Sequence, residues 1–139
     1  IKMLRDSWDG LLVVKGVMSP DDAEPLEKLG IDAAWVSNHA GRQFAGSPST
    51  IDMLPEIRAV TNLPLIFDSG IEGGLDIMRA FGLGADFVMM GRAWHYAVGA
   101  MGGAGPAHLL NMLSDDLKSN MIQIAASKLE ELPPLVYGS

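Results

Sequence analysis

Cysteine is absent from this chain of 139 residues. That excludes a disulfide scaffold, a thiolate metal site and a cysteine nucleophile, and it fits a reducing cytoplasm. Basic residues are also scarce: 10 Lys and Arg stand against 17 Asp and Glu, a net charge of -7. No Lys/Arg cluster offers a face for tracking phosphates, so a nucleic-acid partner is not expected. No apolar run approaches the roughly 18 residues that would cross a bilayer, and no secretory signal is visible. His/Glu spacing of a metal-binding kind is missing too. What remains is 48% hydrophobic and only 19% charged, enough to bury a real core and too apolar to be disordered. The sequence opens at Ile1, without Met, on a polar segment (Lys2 to Gly10), and reads as a fragment that begins inside a larger domain.

Four short apolar runs punctuate the chain: Leu11 to Val17, Ala33 to His39, Leu63 to Phe67 and Phe87 to Met90. Each is nearly continuous in hydrophobicity and bounded by turn residues, the pattern of a strand covered on both faces. Helical patterns lie between them. Ser19-Pro20-Asp21-Asp22 supplies a cap, a proline at the first helical position and acids at the positive dipole end, for a helix running to Leu29 with Gly30 as its stop. Ser49 or Thr50 opens Ile51 to Val60, and Gly73-Gly74 precedes Leu75 to Phe81. Ala93 to Ala100, a glycine-rich break and an amphipathic stretch from Pro106 to Leu129 complete the pattern.

Strand starts at 11, 33, 63 and 87 mean successive βα units of 22, 30 and 24 residues. Either an open doubly wound sheet or half of a closed eight-stranded barrel accepts four such units. The special residues favour the barrel. Lys15 closes the first run, Ser37 and His39 the second, Asp68 the third, and Gly91-Arg92 the fourth. Polar residues at the carboxyl ends of all four strands would line one rim, where barrels keep their active sites. A doubly wound sheet would concentrate its ligand at one switch point, and the first turn, Lys15 to Pro20, lacks GxGxxG. The expected fold is therefore α/β, four βα units plus C-terminal helices.

Ser37-Asn38-His39-Ala40-Gly41-Arg42-Gln43 is the most informative stretch. An imidazole that moves protons near neutral pH stands three residues from a guanidinium that grips carboxylates with paired hydrogen bonds. A small organic acid is the substrate such a pair suits. Asp68-Ser69-Gly70-Ile71-Glu72-Gly73-Gly74 is rich in glycine and brings amides close to an anion; with the Gly91-Arg92 loop it forms a candidate phosphate site. Alone, each residue has a plainer reading: Lys15 as a snorkelling rim lysine, His39 as a turn cap, Arg42 as half of a surface ion pair, Asp68 as a helix cap. His95 and His108 read as structural, and Met89-Met90 as core filler.

These elements resemble the FMN-dependent 2-hydroxy acid dehydrogenases and oxidases, the lactate, glycolate and mandelate enzymes. The likeness runs through Val14-Lys15-Gly16, the Ser37 to Gln43 signature, Gly46-Ser47-Pro48-Ser49-Thr50, Asp68-Ser69-Gly70-Ile71, Gly84-Ala85-Asp86 and Gly91-Arg92. The resemblance implies the C-terminal half of a TIM (β/α)8 barrel, strands five to eight with the closing helices, over residues 1–139 as one domain. It implies FMN as cofactor and oxidation of an L-2-hydroxy acid, lactate-like, to the 2-oxo acid. By the same resemblance His39 is the catalytic base, Arg42 binds the substrate carboxylate, and Lys15 stabilises the anionic reduced flavin. Ser37, Asp68, Ser69, Gly70, Gly91 and Arg92 hold the cofactor. It further implies a cytoplasmic homo-oligomer, a tetramer, with peripheral membrane attachment in some relatives; the electron acceptor is unspecified. Glu72 departs from it, standing where the family commonly has an Arg that helps hold the phosphate. Two other readings accompany this one: a catalytically silent half barrel that self-associates or needs its missing N-terminal half, and another FMN barrel such as type 2 isopentenyl diphosphate isomerase.

Overall fold

A computed structural model describes residues 1–135; positions 136–139 of the expected domain lie outside the described residues. Four parallel strands, β1 (Val13–Val17), β2 (Ala33–Val36), β3 (Leu65–Phe67) and β4 (Phe87–Val88), lie side by side in chain order. Helix α1 (Lys2–Ser7) precedes them, α2 (Pro20–Ala23), α3 (Thr50–Arg58) and α4 (Gly74–Gly82) connect them, and α5 (Arg92–Met101) and α6 (Gly105–Gln123) follow. Chain order without a reversal is the winding of a barrel, whereas a doubly wound sheet reverses at its switch point. The choice made on rim residues is thus the one the topology makes.

Register sorts the side chains onto two faces. Val17, Val36, Phe67 and Val88 align across the sheet, as do Val14, Ala34 and Leu65. These rows pack with Leu26, Leu54, Ile57 and Ala80 into the main core, where Val36, Leu54, Ile57 and Leu65 are fully buried. Each such side chain contributes about 1.5–3 kcal/mol relative to exposure. The opposite row, Lys15, Trp35, Ile66 and Phe87, faces away from the helices, and Phe87 is 57% exposed. A bulge at Gly16, with φ of 94°, shifts the register between Lys15 and Val17 and ends β1.

Several boundaries differ from expectation. Helix α2 stops after one turn instead of reaching Leu29, because Pro25 has no N–H to continue the ladder; turns carry the chain to Gly30, where φ is 72°. Strand β4 ends at Val88, not Met90, since its neighbour β3 ends at Phe67, whose carbonyl takes a last bond from Met89. Helix α1 was not foreseen, and β1 starts at Val13 rather than Leu11. Helix α6 ends at Gln123, short of Leu129, and Ala125 turns left-handed at φ of 56°. Beyond it, Glu131 accepts from the amides of Ser127 and Lys128 and from the Ser127 hydroxyl, and these bonds lower its pKa below the ordinary carboxylate value.

Two matching clamps hold the starts of the strands. Asp32 accepts from the Leu12 amide (2.7 Å) and from Arg5 (3.2 Å), while Arg5 also donates to the carbonyls of Trp8, Gly10 and Gly30. Asp86 accepts from the Leu65 amide (2.8 Å) and from Arg58 (3.2 Å), and Arg58 also donates to the carbonyls of Thr61 and Leu63. Each Asp follows a positive-φ glycine, in Gly30-Ile31-Asp32 and Gly84-Ala85-Asp86. The central residue bonds back to the segment before it, Ile31 to Leu26 and Ala85 to Ala80. One device is used twice, once per pair of βα units.

Helix α6 lies close against its neighbours at two glycines. A methyl at Gly74 would fall 2.6 Å from the Asp116 carbonyl carbon and 2.7 Å from Leu117 Cα. A methyl at Gly105 would press on the Ala97 carbonyl. Asp116 also reaches from α6 to accept the Gly74 amide at 2.5 Å.

Candidate active site

The carboxyl ends of the strands meet at one rim. After β2 the chain makes a tight left-handed turn: His39, Ala40 and Gly41 have φ of 55°, 56° and 69°. For the two residues with side chains this backbone costs about 1–2 kcal/mol each, so the turn persists only because it is tied down. The ties are explicit. The Ser37 hydroxyl accepts the His39 amide (3.2 Å), the Ser69 hydroxyl accepts the Ala40 amide (3.0 Å), and Asn38 donates to the Pro48 carbonyl (3.0 Å). The turn holds His39 and Arg42 out at the rim, where both are exposed. Arg42 has no ion-pair partner among the described residues.

Asp68 is the hub beneath this turn. One of its oxygens accepts the Trp35 indole N–H (3.1 Å) and lies 3.5 Å from the Lys15 ammonium; the other accepts the Ser69 hydroxyl (2.5 Å). Lys15 also donates to the Ser37 hydroxyl at 2.7 Å and stands 4.8 Å above the Trp35 ring, a cation–π contact. Lys15 and the backbone of His39 therefore share one hydroxyl, that of Ser37, which is 3% exposed. The buried Thr50 hydroxyl pins the next loop by donating to the Ser69 carbonyl at 2.6 Å.

An open cleft of about 710 Å³ gathers these groups. His39, Arg42, Asp68, Ser69, Gly70, Glu72, Gly91 and Arg92 all line it. Lys15 and Ser37 stand behind its wall, tied to it through Asp68 and the His39 backbone. All nine residues singled out from the sequence as site residues thus belong to one region. The glycine-rich loop contributes less than expected, because its amides are partly spent. Those of Glu72 and Gly73 bond to Asp76 (3.1 Å each), and that of Gly74 bonds to Asp116. Among the described residues no partner takes the amides of Gly70, Gly91 or Arg92, and a Cβ at Gly70 or Gly91 would meet nothing within 4 Å. Nor does Asp68 cap α4, a role filled by Asp76 and Asp116.

Six residues of this region escaped the sequence reading. Trp35 orients both Lys15 and Asp68; the signal was its place two residues before Ser37 in a strand of alternating faces. Thr50 was read only as a helix start. His95, read as structural, lines the cleft with Tyr96, since it follows Arg92 by one helical turn; its Nδ1 lies 3.0 Å from the Gly91 carbonyl. Met89 and Met90, read as core filler, also line it, while Met90 packs against the main core as well.

Comparison with known proteins finds likeness along nearly the whole chain. The model of the family "FMN-dependent dehydrogenase" matches residues 1–137. L-lactate dehydrogenase of Chromohalobacter salexigens is 39% identical over 143 residues, covering 100% of this chain and 36% of that protein. A soluble mutant of the membrane-associated (S)-mandelate dehydrogenase from Pseudomonas putida superposes with a TM-score of 0.91 at 37% identity, over 96% of this chain and 38% of that one. Mandelate oxidase with (S)-4-hydroxymandelic acid gives 0.89 at 31% identity, over 95% and 38%. The chain thus spans under two-fifths of the length of these relatives. In fold it is half of a (β/α)8 barrel, and by sequence and structure together it belongs to the FMN-dependent dehydrogenase family.

Proposed function

We propose that this chain is the C-terminal half of an FMN-dependent enzyme, strands five to eight of the barrel, that oxidises a lactate-like L-2-hydroxy acid to the 2-oxo acid. The observation that carries it is the convergence of His39, Arg42, Arg92 and the Asp68-Ser69-Gly70 loop on one cleft in a member of this family.

The donor set fits the cofactor. A flavin phosphate needs unspent amides and a cation, and Gly70, Gly91 and Arg92 offer both. The pyrimidine edge of the ring needs a fixed positive charge and a hydroxyl donor, and Lys15 and Ser37 are hydrogen-bonded to each other. When bound, FMN supplies the two-electron acceptor. Arg42, with no protein carboxylate to hold it, is free to clamp the substrate carboxylate through paired hydrogen bonds and so fix which C–H faces the acceptor. His39 takes the proton released as the hydroxyl becomes a carbonyl. Lys15, ion-paired with Asp68, would place a positive charge beside the ring of a bound flavin. The turn at 39–41 fixes the backbone from which the imidazole and guanidinium extend.

Purified full-length protein should be yellow and should bleach anaerobically on adding L-lactate, glycolate or mandelate. In Arg42→Ala, kcat/KM should fall about 100-fold, with KM raised and kcat lowered, as expected for losing a charged bidentate contact of about 2.7 kcal/mol. An unchanged KM contradicts the assignment. The proposal includes a cytoplasmic homo-oligomer, a tetramer. Among the described residues no helix is long and apolar enough to cross a membrane, and the membrane-associated relative supports a peripheral location.

A second reading concerns the 139-residue chain by itself. Exposed Phe87 and Val13, on the two edge strands of the sheet, support a silent half barrel that self-associates. Gel filtration with flavin titration separates the two: a monomer that binds FMN overturns this second reading.

A further inference from the structure

Two acids line the cleft, Asp68 and Glu72, and of these Glu72 alone has no cation paired with it among the described residues. Its amide is fixed by Asp76, its neighbour Ile71 is buried, and its own side chain is exposed and lines the cleft with Arg92. An acid just before α4 has an ordinary structural use, to neutralise the positive end of the helix. Here that use is already filled: Asp76 takes the amides of Glu72 and Gly73, and Asp116 takes that of Gly74. The Glu72 carboxylate makes no hydrogen bond or ion pair among the described residues, so no cation neutralises it. It faces the same space as the Arg92 guanidinium and the free Gly70 and Gly91 amides, the groups assigned above to the flavin phosphate.

Resting on that assignment, we infer that Glu72 sets the flavin selectivity of this protein: it weakens the hold on the phosphate and narrows the preference for FMN over riboflavin. A phosphate monoester carries between one and two negative charges at neutral pH, so an exposed carboxylate lining the same cleft repels it through water. The ring and ribityl chain carry no such charge, and riboflavin is indifferent to Glu72. With exposed groups and screening over about 8 Å at physiological salt, the penalty is roughly threefold to tenfold in dissociation constant.

The test is flavin titration of the full-length apoprotein, followed by quenching of flavin fluorescence, for wild type, Glu72→Gln and Glu72→Arg, with FMN and riboflavin in parallel. Glu72→Gln should tighten FMN about threefold to tenfold and leave riboflavin within twofold. Glu72→Arg should tighten FMN further, and both gains should shrink as salt rises. Thermal midpoints should stay close to wild type, because the Glu72 carboxylate makes no hydrogen bond or ion pair among the described residues. An FMN dissociation constant that ignores the substitution overturns the inference. So does an equal change for riboflavin, which would mean that Glu72 acts through loop shape. Absence of binding of either flavin by all three proteins overturns the flavin assignment itself, and this inference with it.

Discussion

Replacing Asp68 with asparagine keeps the side chain's outline and removes its charge; replacing it with alanine removes the hub. The structure gives these changes different consequences. In Asp68→Asn the amide oxygen can still accept the Trp35 indole, and the amide nitrogen can meet the Ser69 hydroxyl. What is lost is the ion pair with Lys15, whose side chain is 42% exposed, so its share stays within about 1 kcal/mol. Weaker, uncharged bonds to Trp35 and Ser69 bring the total to about 1–2 kcal/mol. In Asp68→Ala the indole N–H and the Ser69 hydroxyl lose their acceptor and the Lys15 ammonium loses its counter-ion in a half-buried place, and about 3–4 kcal/mol is expected. At about 4 °C per kcal/mol for a chain near this size, the thermal midpoint should fall by about 4–8 °C for asparagine and 12–16 °C for alanine. Urea unfolding followed by Trp fluorescence measures both, with Trp35→Phe identifying the indole's share of the signal. Equal losses for the two variants, or a loss below about 1 kcal/mol for alanine, would refute the idea that this carboxylate organises the rim.

Gly74→Ala should cost about 2–4 kcal/mol in urea unfolding because its methyl meets the α6 backbone, whereas at Gly73 a methyl meets only the Asp116 carboxylate end (3.0 Å) and should cost less. Ala40→Gly should raise stability by about 0.5–1 kcal/mol by relieving a φ of 56°; a loss of that size would contradict the left-handed turn.

Much of this was legible in the residues, for a physical reason. Parallel strands buried on both faces leave continuous apolar runs, and a barrel rim leaves one special residue at each run's end, so β1 to β4 and Lys15, Ser37, Asp68 and Arg92 stood out together. Exact helix ends did not, because a single proline such as Pro25 outweighs several favourable positions. Nor did the spending of the Gly74 amide: Asp116 reaches it from α6, across a sequence separation that no local pattern reports. Trp35 was hidden by the same cause, since its value lies in what stands above it and beside it.

The paired arginine–aspartate clamps lie at the feet of the strands, and the loops bearing His39, Asp68 and Arg92 lie at the opposite ends. Among the described residues neither clamp lines the cleft, and no cleft side chain bonds to a clamp. Such a separation lets the upper loops change in length and composition while the frame below keeps its form. Descendants of this scaffold can explore new substrates without first learning to fold again.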